Sequence, residues 1–280
     1  MEIARLAAMS AFLLLGVIPH CSPASAADVR HYPLKEGVLA VPGTVEITDG
    51  SYDLVLHLHG APKVVEPNLA VTNPQAVWVN LTLPGLSSVY RRHFQNSTVF
   101  PALLSEIEQR LASIVPDKKL HRRHLTVTSF SGGFGGVREL LKQPESRSQI
   151  DTLVMADSLY GGFVGEIADR TLNPDHLTPF FNFAQLAASG QKQMLLSHTE
   201  LHTPDYASTK ETANYLIRKL GTQPRTERKV HPGGLIEKSR CTLRSFVVMS
   251  FEGTTAEDHM KHLRHIRIFL QEVNEMAESN

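Results

Sequence analysis

The chain lacks most of what would fix its role at a glance. It holds only two cysteines, Cys21 and Cys241. The first falls in an N-terminal stretch expected to be cleaved, so Cys241 would stand alone and no internal disulfide could form. A lone thiol of this kind reads as a small core residue rather than a reactive group. An excess of charge of one sign is lacking too: 28 Lys and Arg balance 28 Asp and Glu. Nothing in that balance suggests a nucleic acid or an anionic membrane surface as a partner. Beyond the N-terminus no stretch reaches the ~18 uninterrupted apolar residues of a membrane span. Internal repeats and low-complexity segments are missing. No lysine follows the glycine-rich segment 132–136, which excludes a Walker phosphate loop, and its glycine spacing and central position do not fit a dinucleotide fingerprint. Histidines are plentiful, but none forms a His-x-x-x-His pair with the adjacent Glu of a metalloprotease. His57 and His59 share one side of a strand without a third ligand at a suitable spacing. No metal and no cofactor is expected.

At the N-terminus Arg5 precedes an apolar run, Leu6 to Ile18, with Pro19 closing it and Ala24-Ser25-Ala26 as a cleavage site. Residues 1–26 are expected to be a signal peptide, which implies a secreted or periplasmic protein. Residues 27–280 are expected to form one α/β domain, a length that suits a large core.

Short strands are expected at Gly37 to Val41 and Thr44 to Ile47. Tyr52 to Leu58 is the first strongly buried strand, and Gln75 to Leu83 the next. Leu103, Leu104, Ile107, Leu111 and Ile114 recur at helical spacing across Thr98 to Ile114. Further strands are expected at Leu125 to Phe130, Asp151 to Ala156, Met194 to Ser197 and Ser245 to Phe251. Helices are expected at Asp175 to Ala188, at Ser208 to Leu220 behind a Ser208-x-x-Glu211 capping box, and at Ala256 to Met276. Strand and helix alternate from residue 52 onward, and the strands are continuously apolar. Such strands lie in a sheet covered on both faces. The expected fold is a doubly wound, mostly parallel sheet with helices on both sides and no large lid domain, since only ~35 residues join the Asp151 and Met194 strands. Sites in such sheets lie at the carboxyl ends of the strands.

One stretch stands out there. After the strand LTVTSF come Ser131, Gly132 and Gly133, then a helix. Ser129-Phe130-Ser131-Gly132-Gly133 is close to the G-x-S-x-G nucleophile elbow, with Ser129 replacing the first glycine. A serine hydroxyl needs a histidine base, and that histidine needs an acid to orient it. The order Ser131, Asp157, late histidine resembles the α/β-hydrolase superfamily across most of the mature chain, though only the elbow and the late histidine region are motif-specific. The resemblance implies Ser131 as nucleophile. Of His259, His262 and His265, His259 is preferred as the base, because it lies in the first turn of the last helix on its apolar side. Asp157, at a strand end, is the preferred acid, with Glu200 and Asp205 as alternatives. Gly132 would supply one oxyanion-hole N–H, and Ala61 or Gly60, in an HG motif after the first buried strand, the other. His59, His198 and Tyr160 are expected at the substrate pocket.

The function so implied is a serine hydrolase cleaving an accessible ester, small or polymer-bound, such as an acylated glycan. A serine peptidase or amidase, and a non-catalytic binding protein on the same scaffold, remain alternatives. The residues leave the oligomeric state open.

Overall fold

The computed structural model describes residues 28–278, so the expected signal peptide, residues 1–26, lies outside the described residues. Ten strands form one sheet: β1 (Val29–Pro33), β2 (Val38–Pro42), β3 (Ser51–Leu58), β4 (Ala76–Leu81), β5 (His121–Phe130), β6 (Thr152–Ala156), β7 (Gln193–His198), β8 (Arg225–His231), β9 (Leu235–Leu243) and β10 (Phe246–Phe251). Their order is β1-β2-β4-β3-β5-β6-β7-β10-β9-β8. The central strands from β4 to β10 are parallel, and the pairings beyond them, β4–β2, β2–β1, β10–β9 and β9–β8, are antiparallel.

The helices are α1 (Pro62–Thr72), α2 (Ser87–Phe94), α3 (Val99–Ile114), α4 (Phe134–Lys142), α5 (Pro144–Gln149), α6 (Pro174–Ala188), α7 (Thr209–Lys219), α8 (Ala256–Arg264) and α9 (Arg267–Glu278). Side chains alternate across each strand, and two cores result. Leu54, Leu56 and Leu58 of β3 join one core with residues of α2, α3, α4, α6 and α7. Val55 faces the other, built with α1, α8 and α9. Cys241 is buried, 1% exposed, and no helix among the described residues is long and apolar enough to cross a membrane.

Three local expectations change. The Thr44 to Ile47 segment is not a strand. The antiparallel pair β8–β9 was not anticipated: β8 reads RTERKVH, and only His231 of its residues is buried, so an edge strand carries no apolar pattern to read. The closing helix is two helices, α8 and α9, separated at His265 and Ile266. The Asn68 carboxamide oxygen of α1 accepts from the Arg267 N–H and anchors the restart.

Helix α4 leaves the sheet pressed against α2. A Cβ on Gly135 would run into the backbone carbonyl of Ser87, and backbone cannot yield as a flexible side chain can. Gly135→Ala is therefore expected to destabilise the fold by about 1–3 kcal/mol through overpacking, read as a shift in the urea midpoint at unchanged slope.

Candidate active site

β5 ends at Phe130, and the chain turns at once through Ser131. Ser131 has φ of +46°, a left-handed conformation that costs energy for a residue with a Cβ. A single turn of 3-10 helix, Ser131–Gly133, leads into α4. This is the strand-turn-helix geometry that the elbow sequence implies. Ser129, in place of glycine, is accommodated: its hydroxyl meets Ser158 Oγ at 2.9 Å, and Ser158 Oγ donates to the Ser131 carbonyl at 2.9 Å.

Asp157 follows β6 directly and is 1% exposed. Its Oδ2 lies 2.8 Å from His259 Nδ1 and accepts from Thr199 Oγ1 at 2.8 Å. Its Oδ1 accepts from Thr209 Oγ1. Burial by itself would raise the carboxyl's pKa, but the hydrogen bonds from His259 and the Thr209 hydroxyl outweigh it and hold it well below the usual range. The ionised carboxylate accepts only, so His259 Nδ1 carries the proton and Nε2 is the ring's open nitrogen. His259 sits at the fourth helical position of α8, behind a Thr255–Asp258 capping box. Its ring stacks on Phe130, with centroids 4.5 Å apart.

Ser131 and His259 line one cavity of about 570 Å³, together with Gly132, Phe134, Arg138, Tyr160, His176 and Tyr206 among others. No hydrogen bond joins Ser131 to His259; such bonds commonly tighten only when substrate is bound. The alternative acids lie elsewhere. Glu200 pairs with Lys210 and Lys238, each at 2.9 Å, and Asp205 is exposed. His262 is fully buried, with Nδ1 2.8 Å from Ser197 Oγ, and His265 is half-buried.

Tyr160 lines the cavity, with its ring 5.4 Å from Phe134 and 5.5 Å from Tyr206. His59 does not line it; its ring lies against Tyr90 and Phe130. His198 lines a separate cavity of about 270 Å³ with Glu200, Lys210 and Lys238. Adjacent strand residues point to opposite faces, so Ser197 turns toward His262 while His198 faces away. Gly60 and Ala61 are not in the lining either. A Cβ on Gly60 would meet His57, Val65 and Leu263, side chains packed beneath the strand end. The backbone N of Ser87, in the first turn of α2, instead lies against Gly132: a Cβ there would be 3.0 Å from it. Arg138, His176 and Tyr206 were missed from sequence. No local motif marks them, since their meeting depends on how α4, α6 and the loop before α7 converge.

No protein-family model matches the chain, and no curated protein matches it in sequence. Solved structures do match. The enterobactin esterase of Shigella flexneri is similar at 11% identity and a TM-score of 0.50, over 91% of this chain and 60% of that one. The α/β-hydrolase fold is the chain's fold. The acylaminoacyl peptidase of Pyrococcus horikoshii is similar at 13% identity and a TM-score of 0.48, over 90% of this chain and 42% of that one. The Bacillus subtilis carboxylesterase CesB is similar at 11% identity and a TM-score of 0.43, over 92% and 93% of the two chains. The chain spans less than two thirds of the length of the first two proteins.

In this α/β-hydrolase sheet two histidines beneath the site are held neutral by burial. The pKa of His57 is pushed down to about 3 and that of His262 to about 4. Both lie below the ordinary histidine value of 6.5. As pH falls, the unfolded chain takes up these protons first. Stability is therefore full above about pH 6.5 and is lost as pH falls toward the folded values. Urea denaturation at pH 7 and pH 5 should show a loss of about 1 kcal/mol or more per histidine per pH unit once below pH 6.5. His262→Leu should lower the starting stability yet flatten this dependence.

Proposed function

We propose that the protein is a serine hydrolase that cleaves an ester through an acyl-enzyme, and that it acts outside the cytoplasm after loss of residues 1–26. The observation that carries this reading is a strained serine at a strand-to-helix turn, sharing a cavity with a histidine whose Nδ1 is fixed by a buried carboxylate. Ser131 Oγ attacks the substrate carbonyl carbon while His259 Nε2 takes the hydroxyl proton. The carbonyl π electrons move onto oxygen, and the Gly132 N–H stabilises that oxyanion. We assign the second donor to the N–H of Ser87, which lines the cavity at the start of α2, where helix N–H groups lack intrahelical partners. Collapse of the intermediate breaks the carbon–oxygen ester bond, and His259 gives its proton to the departing alcohol. Water, deprotonated by His259, then attacks the acyl-enzyme and releases the acid and Ser131. Asp157 stays ionised and stabilises the imidazolium formed in both halves.

The connection from β6 to β7, residues 157–192, contains one regular helix, α6. That supports an accessible cavity and a substrate reached from solvent, such as an acyl group on a polymer.

A fluorophosphonate should label the wild type and fail to label Ser131→Ala. Absence of labelling in both would replace the hydrolase reading with that of a binding protein. Ser131→Ala or His259→Ala should lower kcat on para-nitrophenyl acetate by about 10⁴-fold or more, and Asp157→Asn by about 10³–10⁴-fold. Peptide anilides turned over faster than this ester would make the protein a peptidase.

A further inference from the structure

The cavity that holds Ser131 is lined by no carboxylate among the described residues, and its one formally charged side chain is Arg138. Arg138 is only 13% exposed in its side chain. Its Nε is buried without a hydrogen-bond partner among the described residues. The nearest counter-charge is Glu139, whose Oε1 is 3.8 Å from that Nε, beyond hydrogen-bond reach. That carboxylate is already held by Lys142 Nζ, at 2.9 and 3.2 Å. Burial weakens Arg138's hold on its proton, and the like charge of nearby Arg91 adds to this, against the opposing pull of Glu139. A guanidinium removed from water and left short of partners is costly. Such a site is ready for an anion.

Its position fits that role. Arg138 stands seven residues after Ser131 on the helix that the elbow opens, roughly 10 Å along its axis. Side chains on a helix lean toward its N-terminus, and the Arg138 guanidinium lies over the Phe134 ring, 5.7 Å from its centroid. It therefore reaches back toward the nucleophile. His176, also in the lining, accepts from the Gly162 N–H through Nδ1 at 2.9 Å, which leaves Nε2–H as a neutral donor.

We propose that Arg138 determines specificity by binding a carboxylate carried by the substrate, so that the cavity selects anionic esters over neutral isosteres. This rests on the hydrolase reading above for turnover, but the binding step does not. Two substrate pairs test it. One is the mono-para-nitrophenyl ester of glutaric acid against its methyl-ketone isostere, with the carboxylate on the acyl side. The other is para-carboxyphenyl butyrate against para-acetylphenyl butyrate, with the carboxylate on the leaving group. In at least one pair the anionic ester should have the higher kcat/KM by about tenfold or more, the size of one charge-assisted hydrogen bond. Arg138→Gln should bring that ratio to near unity, and Arg138→Lys, which keeps the charge but not the fork, should give an intermediate ratio.

Equal turnover within both pairs, or a preference that survives Arg138→Gln, would overturn the proposal. So would an equal fall for both members of a pair, which marks Arg138 as structural. The same pairs are also measured by calorimetric binding in Ser131→Ala, with and without Arg138→Gln. There the anionic ester should bind about tenfold more tightly only when Arg138 is present. Loss of fluorophosphonate labelling with this binding difference intact would sink the hydrolase reading alone; labelling without it would sink the Arg138 proposal alone.

Discussion

The site depends on keeping one carboxylate ionised inside the protein. Asp157 is almost wholly removed from water, and an isolated buried carboxylate would protonate rather than stay charged. It stays charged because three elements supply donors. Thr199 comes from the end of β7, Thr209 from the first position of α7 and His259 from the first turn of α8. Each donor belongs to a segment whose course is fixed independently. Capping boxes, Ser208 with Glu211 and Thr255 with Asp258, set where α7 and α8 begin. The carboxylate thus ties together one strand end and two helix starts, and the histidine's tautomer follows from that tie.

The elbow works under a second constraint, space. Phe130, the residue before Ser131, is buried and forms the platform on which the His259 ring lies. The same residue that ends β5 in the core therefore places the His259 ring. On the opposite face of the same strand end, Ser129 takes the volume that the usual pattern leaves to a glycine. The room comes from Gly133, where a Cβ would lie 3.0 Å from that of Ser129. The Ser129 hydroxyl then donates to Ser158 Oγ, whose own proton goes to the Ser131 carbonyl. One small residue has been exchanged for another across the turn.

What could be read from sequence was what is local. The elbow, the strand-terminal Asp157 and the first-turn His259 each sit at a fixed offset from an element whose periodicity shows in the chain. The strong central strands were legible because both of their faces are apolar. β8 was not, since six of its seven residues lie outside the buried class. α2 was not, because its buried residues, Tyr90 and Phe94, amount to one pair at i,i+4 spacing. The placement of His198 went astray through period two: a strand end names two adjacent residues, and only one of them faces a given side. For the oxyanion loop, the HG pair stands where expected in sequence, but Gly60 is packed under the strand end, and the backbone of α2 occupies the position beside Gly132.

Charge in this protein is balanced overall and unbalanced where it matters. The chain carries no net charge, so long-range steering contributes little to what it meets. Inside the Ser131 cavity the balance is broken by a single guanidinium. The wall around it is aromatic, built from Phe134, Tyr160 and Tyr206, and the low local polarity strengthens any charge–charge contact made there. Arg138 and Ser131 ride on one helix and the turn that starts it, so their separation is set by helix geometry rather than by loops. On the proposed reading, the rigid spacing between Ser131 and Arg138 is a ruler. It would discriminate by where a substrate's charge lies relative to the bond cleaved, and overall size or apolarity would not substitute for that match.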